Sequence, residues 1–380
     1  MIKSERLKEV ELSGIRRLFE LANKKGKEII NLGLGEPDFN PPEPIVEELA
    51  IAAKKGLNKY GPTNGIDSLK QIIVNKYKNY DPTTKLDNVI ITEGSTQGLF
   101  SAALSIFNPG DEVLVPDPGF VLYSAHVKIA EAKPIFYNLT KKTSYLPDME
   151  ELEKIVTKKT VAIYINNPSN PLGTVYPKSL VNKIVDFAKK HDLIIISDEV
   201  YDKIVYEGEF NSFWGRYNKV ILTNSFSKII AVPGWRIAYL LVPDEFLEPI
   251  KKMHYYTVAC PSTPFQHAIV NGWERSQSRI EEMVKMFKER RDLVVKMLNG
   301  MGVDYITPQG AFYVFMKIPE SIKKSSSQAA EELINYGVLV TSGDSFGKNG
   351  EGYLRISFAN SSENIKKGLS LIDKWIKDNK

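Results

Sequence analysis

From about residue 41 to residue 243, short β-rich runs alternate with longer amphipathic ones. The runs are Val89 to Thr92, Glu112 to Pro116, Pro134 to Leu139, Val161 to Ile165, Leu193 to Ser197, Val220 to Thr223 and Ala238 to Val242. Several are apolar at consecutive positions, as strands buried on both faces should be, and segments of helical character separate many of them. The pattern predicts an α/β sheet of about seven mostly parallel strands. Between Arg279 and Leu298, the residues Ile280, Met283, Val284, Phe287, Val294 and Met297 recur at helical spacing, which predicts one long amphipathic helix able to bridge two domains. Beyond it, Gly310 to Met316, Gly337 to Val340 and Tyr353 to Phe358 read as strands, and Gln328 to Asn335 and Ile365 to Ile376 as helices. This is a smaller α+β unit in which Lys323 to Ser327 is expected to be an exposed loop. At the other end, Leu7, Val10, Ile15, Leu18 and Leu21 stand near helical spacing, broken at Ser13-Gly14, which fits an arm followed by a short helix. The Gly- and Pro-rich run from Ile29 to Phe39 reads as a strand passing into a loop, and Pro41, Pro42 and Pro44 mark a boundary.

A chain of 380 residues exceeds the roughly 250–300 at which a single core stops growing, so two domains are expected. With 43% hydrophobic and 25% charged residues, disordered and collagen-like classes are excluded. The net charge of +4 is too small and too dispersed to point to a nucleic acid or a membrane as partner. The one cysteine, Cys260, forms no intrachain disulfide; it fits a reducing compartment and reads as an inert packed thiol. Met1 to Ser13 lacks the apolar core of a secretory signal, and runs such as Ile237 to Val242 fall far short of the roughly 18 residues that span a bilayer. A soluble, cytoplasmic chain is expected.

In a parallel α/β sheet, ligands bind beyond the carboxyl ends of the strands, and that rule selects the residues to weigh. Ile194-Ile195-Ile196-Ser197-Asp198-Glu199 puts an acid directly after a buried strand, with Tyr201 following. A buried carboxylate needs a cationic partner, although an N-cap on a following helix would also explain it. Thr223-Asn224-Ser225-Phe226-Ser227-Lys228, followed by Pro233-Gly234-Trp235-Arg236, gathers hydroxyls and an arginine into a plausible anion pocket beside a lysine. A lysine of lowered pKa there could form a Schiff base, whereas most lysines are simply solvated. Thr92-Glu93-Gly94-Ser95-Thr96-Gln97 precedes the apolar helix Leu99 to Phe107, where backbone N–H groups favour phosphate, or where the cluster merely turns the chain. Asn166-Asn167-Pro168-Ser169-Asn170-Pro171-Leu172-Gly173 supplies amides held by prolines, and a structural turn explains it equally well. No G-x-x-x-x-G-K-[ST] loop is present, and Gly33-Leu34-Gly35 lacks the third glycine of a dinucleotide fingerprint. The four histidines, His126, His191, His254 and His267, have no metal-ligand spacing and there is no G-x-S-x-G serine, so neither a metal centre nor Ser-His hydrolysis is expected.

Taken together, Asn170-Pro171, Asp198 with Tyr201, Ser225-x-Ser227-Lys228 and Gly234-Trp235-Arg236 resemble the class I/II aminotransferases of the fold type I pyridoxal-phosphate enzymes. The likeness covers nearly the whole chain, from Leu34-Gly35-Glu36-Pro37-Asp38-Phe39 through Lys59-Tyr60-Gly61-Pro62 and Gly94-Ser95-Thr96 to Leu354-Arg355-Ile356-Ser357-Phe358. It looks most like the archaeal and bacterial aspartate and aromatic aminotransferases. The resemblance implies an amino-terminal arm (1–13), a large cofactor-binding domain (41–278) and a discontinuous small domain (14–40 and 279–380). By the same resemblance, Lys228 would hold pyridoxal 5′-phosphate as an internal aldimine and move the proton between the substrate α-carbon and the cofactor C4′. Asp198 would pair with the pyridine nitrogen. Tyr201 and Asn170 would hydrogen-bond the ring O3′, and Phe120 would stack on the ring. Ser95, Thr96, Ser225, Ser227 and Arg236 would hold the phosphate, with Gly94 allowing close backbone approach. Arg355 would take the substrate α-carboxylate in a bidentate fork, with Asn170 also facing substrate and Gly35 letting the amino-terminal loop close over it. Tyr60 would reach the phosphate of the neighbouring subunit, which makes a homodimer obligatory.

The implied reaction is ping-pong transamination between an L-amino acid and 2-oxoglutarate, with aspartate the first substrate to try and aromatic amino acids next. Aromatic, alanine or broad-specificity aminotransferases, and a β-lyase of the same fold, are the alternatives. The chain departs from the family pattern in three places: Phe120 stands where one branch carries tryptophan, and Pro233 and Leu172 each replace a frequent threonine. No residue that reads the substrate side chain stands out.

Overall fold

The computed structural model describes residues 4–10, 14–25 and 29–380. Seven strands form the central sheet: β1 (Val89–Glu93), β2 (Glu112–Asp117), β3 (Lys133–Asn138), β4 (Thr160–Asn166), β5 (Ile194–Asp198), β6 (Val220–Ser225) and β7 (Ile237–Leu241). Their order is β1-β7-β6-β5-β4-β2-β3, and every neighbouring pair is parallel except those of β7, which runs antiparallel to both β1 and β6. Each expected strand is present within a residue or two. The consecutive apolar runs have a direct cause, since successive side chains point to opposite faces and both faces are covered. Leu114, Ile163 and Ile195 join one apolar cluster, while their neighbours Val113, Val115, Ala162, Tyr164 and Ile196 join another.

The strand directions decide where chemistry can occur. β1, β2, β4, β5 and β6 run the same way, so their carboxyl ends, at Glu93, Asp117, Asn166, Asp198 and Ser225, share one edge of the sheet. The reversed strand β7 starts at that edge, and so delivers Arg236, the residue before it, to the same place.

A second, smaller sheet pairs β8 (Tyr313–Lys317) with β9 (Tyr353–Ser357) in antiparallel fashion, flanked by the short pieces Tyr305–Ile306 and Thr341–Ser342. The helices Ser326–Tyr336 and Ser362–Asp378 belong to this unit. The strand Ile30–Asn31 pairs with Val338–Leu339, which ties the amino-terminal part of the chain to it. A separate apolar core results, including Leu18, Leu32, Val294, Leu298, Leu333, Leu369 and Trp375. The expected long helix spans Gln277–Met301 and stops at Gly302, whose left-handed φ of 64° suits the residue just past a helix end. Its Ile280 packs in the large-sheet core and its Phe287, Val294 and Leu298 in the second core, so the helix does bridge the two.

The amino-terminal helix spans Gly14–Lys24; Ser13, and with it part of the expected arm at 1–3 and 11–13, lies outside the described residues. Two expectations are corrected. Lys323 to Ser327 is not an exposed loop, because a helix starts at Ser326 with Ser325 as its cap. The Ser325 hydroxyl accepts from the Gln328 backbone N–H, and the Gln328 side chain accepts from the Ser325 N–H, a reciprocal capping box. Ser326 is fully buried: its hydroxyl oxygen accepts from the N–H groups of Gly352 at 2.8 Å and Tyr353 at 3.2 Å. Cys260 is partly exposed rather than packed, standing two residues past the end of the helix Asp244–Val258. Among the described residues, no helix is long and apolar enough to cross a membrane.

Candidate active site

A cavity of about 220 Å³ opens at the shared strand edge, between the large sheet and β8–β9. Gly35, Ser95, Thr96, Phe120, Asn170, Asp198, Tyr201, Ser225, Ser227, Lys228, Arg236 and Arg355 all line it. Residues from widely separated parts of the chain thus meet in one cavity.

Asp198 ends β5 and is 4% exposed. Its carboxylate accepts from the Tyr123 hydroxyl at 2.7 Å and from the Val200 N–H at 3.3 Å. Burial nevertheless pushes its pKa up to about 6, against the pull of those two donors and of Lys228. Such a group is stabilised by a cation brought to it. Its neighbour Glu199 points away into a closed set of donors, Ser197 Oγ, Ser212 Oγ and the Phe213 N–H, so only one of the two consecutive acids serves the cavity.

Lys228 lies in the short helix Phe226–Ile229 that follows β6 directly. Its Nζ donates to the Gly35 carbonyl at 2.7 Å. Desolvation lowers the amine to about 8; Glu36 and Asp198 oppose this, and Arg236 and Arg355 add to it. An ammonium so weakened supplies free amine near neutral pH, the form that condenses with a carbonyl.

One end of the cavity gathers groups that suit an anion. The helix Gly94–Ile106 starts there, and Ser95 and Thr96 occupy its first turn. Gly94 has a φ of 78°, and a Cβ on it would lie 2.0 Å from Arg236 Nη2, so glycine alone lets the guanidinium cross this turn. Arg236 is itself left-handed at φ 57° and donates to the Pro233 carbonyl at 2.7 Å. Ser225 Oγ bonds Ser227 Oγ at 2.8 Å, and the Ser225 oxygen accepts from the Ser227 N–H at 3.0 Å. N–H groups at a helix start, hydroxyls and an arginine together match a phosphate.

The other end is built on β9. Arg355 is 2% exposed; it donates to Asn170 Oδ1 at 2.9 Å, to the Gly33 carbonyl at 2.5 Å and to Thr341 Oγ1 at 3.2 Å. These acceptors are all neutral, and its Nε is buried without a partner. The guanidinium lies over the rings of Tyr313, at 4.3 Å, and Phe346, at 4.8 Å. A buried cation with an unused donor suits a carboxylate ligand.

Asn170 is oriented through its backbone N–H, which donates to Asn166 Oδ1 at 2.7 Å, while Asn166 Nδ2 donates to the Asp198 carbonyl at 3.0 Å. Tyr201 Oη lies 2.9 Å from Tyr313 Oη. Phe120 sits at the cavity wall, edge-on to Tyr123 with ring centroids 5.8 Å apart. Tyr60 is not brought to the cavity of its own chain and is 93% exposed.

Tyr123, Asn166, Tyr313 and Ile15 also line the cavity and were not picked out by the motifs. Asn166 had a signal, since it opens the amide-rich strand end. Tyr123 stands three residues after Phe120, in the first turn of the helix Leu122–Ile129. Tyr313 had none, being one aromatic in an apolar strand. The residues present fit pyridoxal phosphate: a phosphate receptor, a buried acid for a ring nitrogen, and an amine of lowered pKa in one cavity.

A family profile, Aminotransferase class I and II, matches residues 27–372. The chain is 39% identical over 393 residues to aromatic-amino-acid aminotransferase 2 of Thermococcus litoralis, and 37% identical over 388 residues to the aspartate aminotransferase of Pyrococcus abyssi, with 100% of both chains covered in each case. Among solved structures it superposes on Thermus thermophilus aspartate aminotransferase with maleate at a TM-score of 0.93 and 31% identity, covering 98% of this chain and 99% of the other. For the aromatic aminotransferase of Pyrococcus horikoshii the TM-score is 0.88 at 35% identity, with 95% and 99% covered. Matching these proteins over essentially its whole length in both sequence and fold, the chain belongs to the class I and II aminotransferases and is a pyridoxal-phosphate-dependent transaminase of fold type I.

Proposed function

We propose that the protein transfers an amino group from an L-amino acid to 2-oxoglutarate, with aspartate as its first donor. The observation that carries this reading is the gathering of Lys228, Asp198 and Arg355 around one cavity from the ends or neighbourhoods of three different strands. Bound pyridoxal phosphate supplies the electron sink for a carbanion at the substrate α-carbon. Lys228 would anchor it and, once displaced by substrate, would move the proton between that carbon and the cofactor C4′. Asp198 keeps the pyridine nitrogen protonated. Ser95, Thr96, Ser225, Ser227 and Arg236 grip the phosphate beside the Gly94 turn, Phe120 flanks the ring, and Tyr201 and Asn170 orient its oxygen. Arg355 with Asn170 takes the α-carboxylate, and the loop at Gly35 closes over it.

Aspartate is favoured by the named activity of the Pyrococcus abyssi relative. A second reading, aromatic donors, is favoured by the Thermococcus litoralis relative and by the apolar lining from Ile15 and Phe120. Initial rates for each amino acid against 2-oxoglutarate distinguish the two. A Lys228→Ala protein is expected to lose turnover altogether, and normal turnover by it would sink the mechanism.

For the domains, the reading is an arm (1–13), a large domain (41–278) and a small one (14–40 with 279–380); the two apolar cores on either side of the helix Gln277–Met301 support it. For assembly, it is a homodimer in which Tyr60 completes the partner's phosphate site. Among the described residues the most exposed tyrosines are Tyr60 at 93%, Tyr256 at 80% and Tyr255 at 53%, an amphipathic set that suits a second copy of this chain.

A further inference from the structure

We propose that Tyr313 is a positioning residue that links the carboxylate end of the cavity to the cofactor end, by joining the Arg355 guanidinium to the Tyr201 hydroxyl. This rests on the roles proposed above for Lys228, Arg355 and Tyr201. Tyr313 opens β8, opposite Ser357 of β9, two residues from Arg355. Its ring lies under the guanidinium at 4.3 Å, and its hydroxyl lies 2.9 Å from that of Tyr201. The hydroxyl also fills the space beside residue 35, where an added Cβ would lie 1.7 Å from it. Tyr313 is 2% and Tyr201 4% exposed, and the Tyr313 ring is held edge-on to Tyr201 and against Phe312, so its hydroxyl has little freedom. The charged groups acting on this pair are Asp198, from β5, and Arg355, from β9. Lys228 enters beside them through its bond to the Gly35 carbonyl.

Tyr201 has a single proton to give. When Tyr313 donates to the Tyr201 oxygen, that proton is left for the cofactor's phenolic oxygen, and donation in a chain is strengthened cooperatively. The guanidinium over the Tyr313 ring makes Tyr313 the better donor. A carboxylate arriving at Arg355 cancels part of that charge and so weakens the whole chain of bonds. Occupancy of the carboxylate site is thereby read at the far end of the cavity.

The test is titration of the holoenzyme's visible absorbance with pH, with and without succinate as an unreactive carboxylate. In Tyr313→Phe, which keeps the ring, the midpoint is expected to rise by about half a unit, and the upward shift caused by succinate to shrink to roughly half its wild-type size. The melting temperature should be unchanged, which separates the effect from general loosening. Tyr313→Leu, which also removes the ring, is expected to weaken succinate binding about fivefold beyond Tyr313→Phe. A Tyr313→Phe protein whose midpoint and succinate shift equal those of wild type overturns the proposal. A wild-type holoenzyme with no pH-dependent visible band would instead overturn the reading of Lys228 on which it rests.

Discussion

At the scale of single residues, the cavity is a set of charges held away from water and left without full partners. Asp198 shows the consequence most directly. Its pKa is raised to about 6 by burial, so the folded, cofactor-free protein binds a proton more tightly there than the unfolded chain does. The sign follows: the strain is absent below the unfolded carboxylate pKa near 4, grows as pH rises to about 6, and is constant above, at about 3 kcal/mol. Asp198→Asn is therefore expected to stabilise the cofactor-free protein at pH 7.5, with the gain vanishing near pH 4, as read by thermal melts across that range. With cofactor the order reverses, because the asparagine cannot hold the ring nitrogen charged. Gly35→Ala tests the opposite kind of constraint, one of space: the new Cβ meets the buried Tyr313 hydroxyl at 1.7 Å. Substrate carboxylate binding is expected to fall at least tenfold. Cofactor affinity, measured by fluorescence titration, should change little, since the phosphate receptor lies elsewhere.

At the scale of elements, the reversed strand β7 and the capped helix Ser326–Tyr336 show how local signals place a site. β7 starts at the edge where the parallel strands end, so Arg236, the residue before it, stands there and faces the start of the helix Gly94–Ile106. Ser326, the first residue of the helix Ser326–Tyr336, supports β9 through Gly352 and Tyr353, the latter two residues from Arg355. Ser325→Ala removes a cap and should cost about 1 kcal/mol in urea unfolding. Ser326→Ala should cost more, about 2 kcal/mol, because it leaves two backbone N–H groups without their acceptor. The strands were legible because buried parallel strands have to be apolar on both faces. The serine run was misread because three adjacent hydroxyls suit a loop as well as a cap, although the Ser325-x-x-Gln328 spacing was there to be seen.

At the scale of the whole molecule, the proposed dimer makes a specific demand. Lys228→Ala and Tyr60→Ala homodimers should each be impaired, the second through cofactor affinity lowered about tenfold. Mixed after unfolding and refolding together, they form heterodimers in which one site has both wild-type residues. Activity is expected to return towards a quarter of the wild-type level, since about half the dimers carry one intact site. Activity no higher than the average of the two parents would show that Tyr60 does not cross to the partner.

The sequence by itself determined the sheet and the bridging helix and marked the polar strand ends, because burial and chemistry both leave marks at fixed places along a chain, whereas Gly35, Phe120 and Arg355 came only with the family resemblance. The lysine after β6, the acid after β5 and the glycine–serine–threonine turn after β1 were readable for that reason. The resemblance pointed to Asp198, but only the tertiary structure gave the physical reason: consecutive residues at a strand end diverge, and Glu199 meets a closed set of its own donors. The tertiary structure alone brought Tyr313 against Gly35, Tyr201 and Arg355. An aromatic in an apolar strand looks like any core residue until the segments that pack on its hydroxyl are known, and those come from distant parts of the chain.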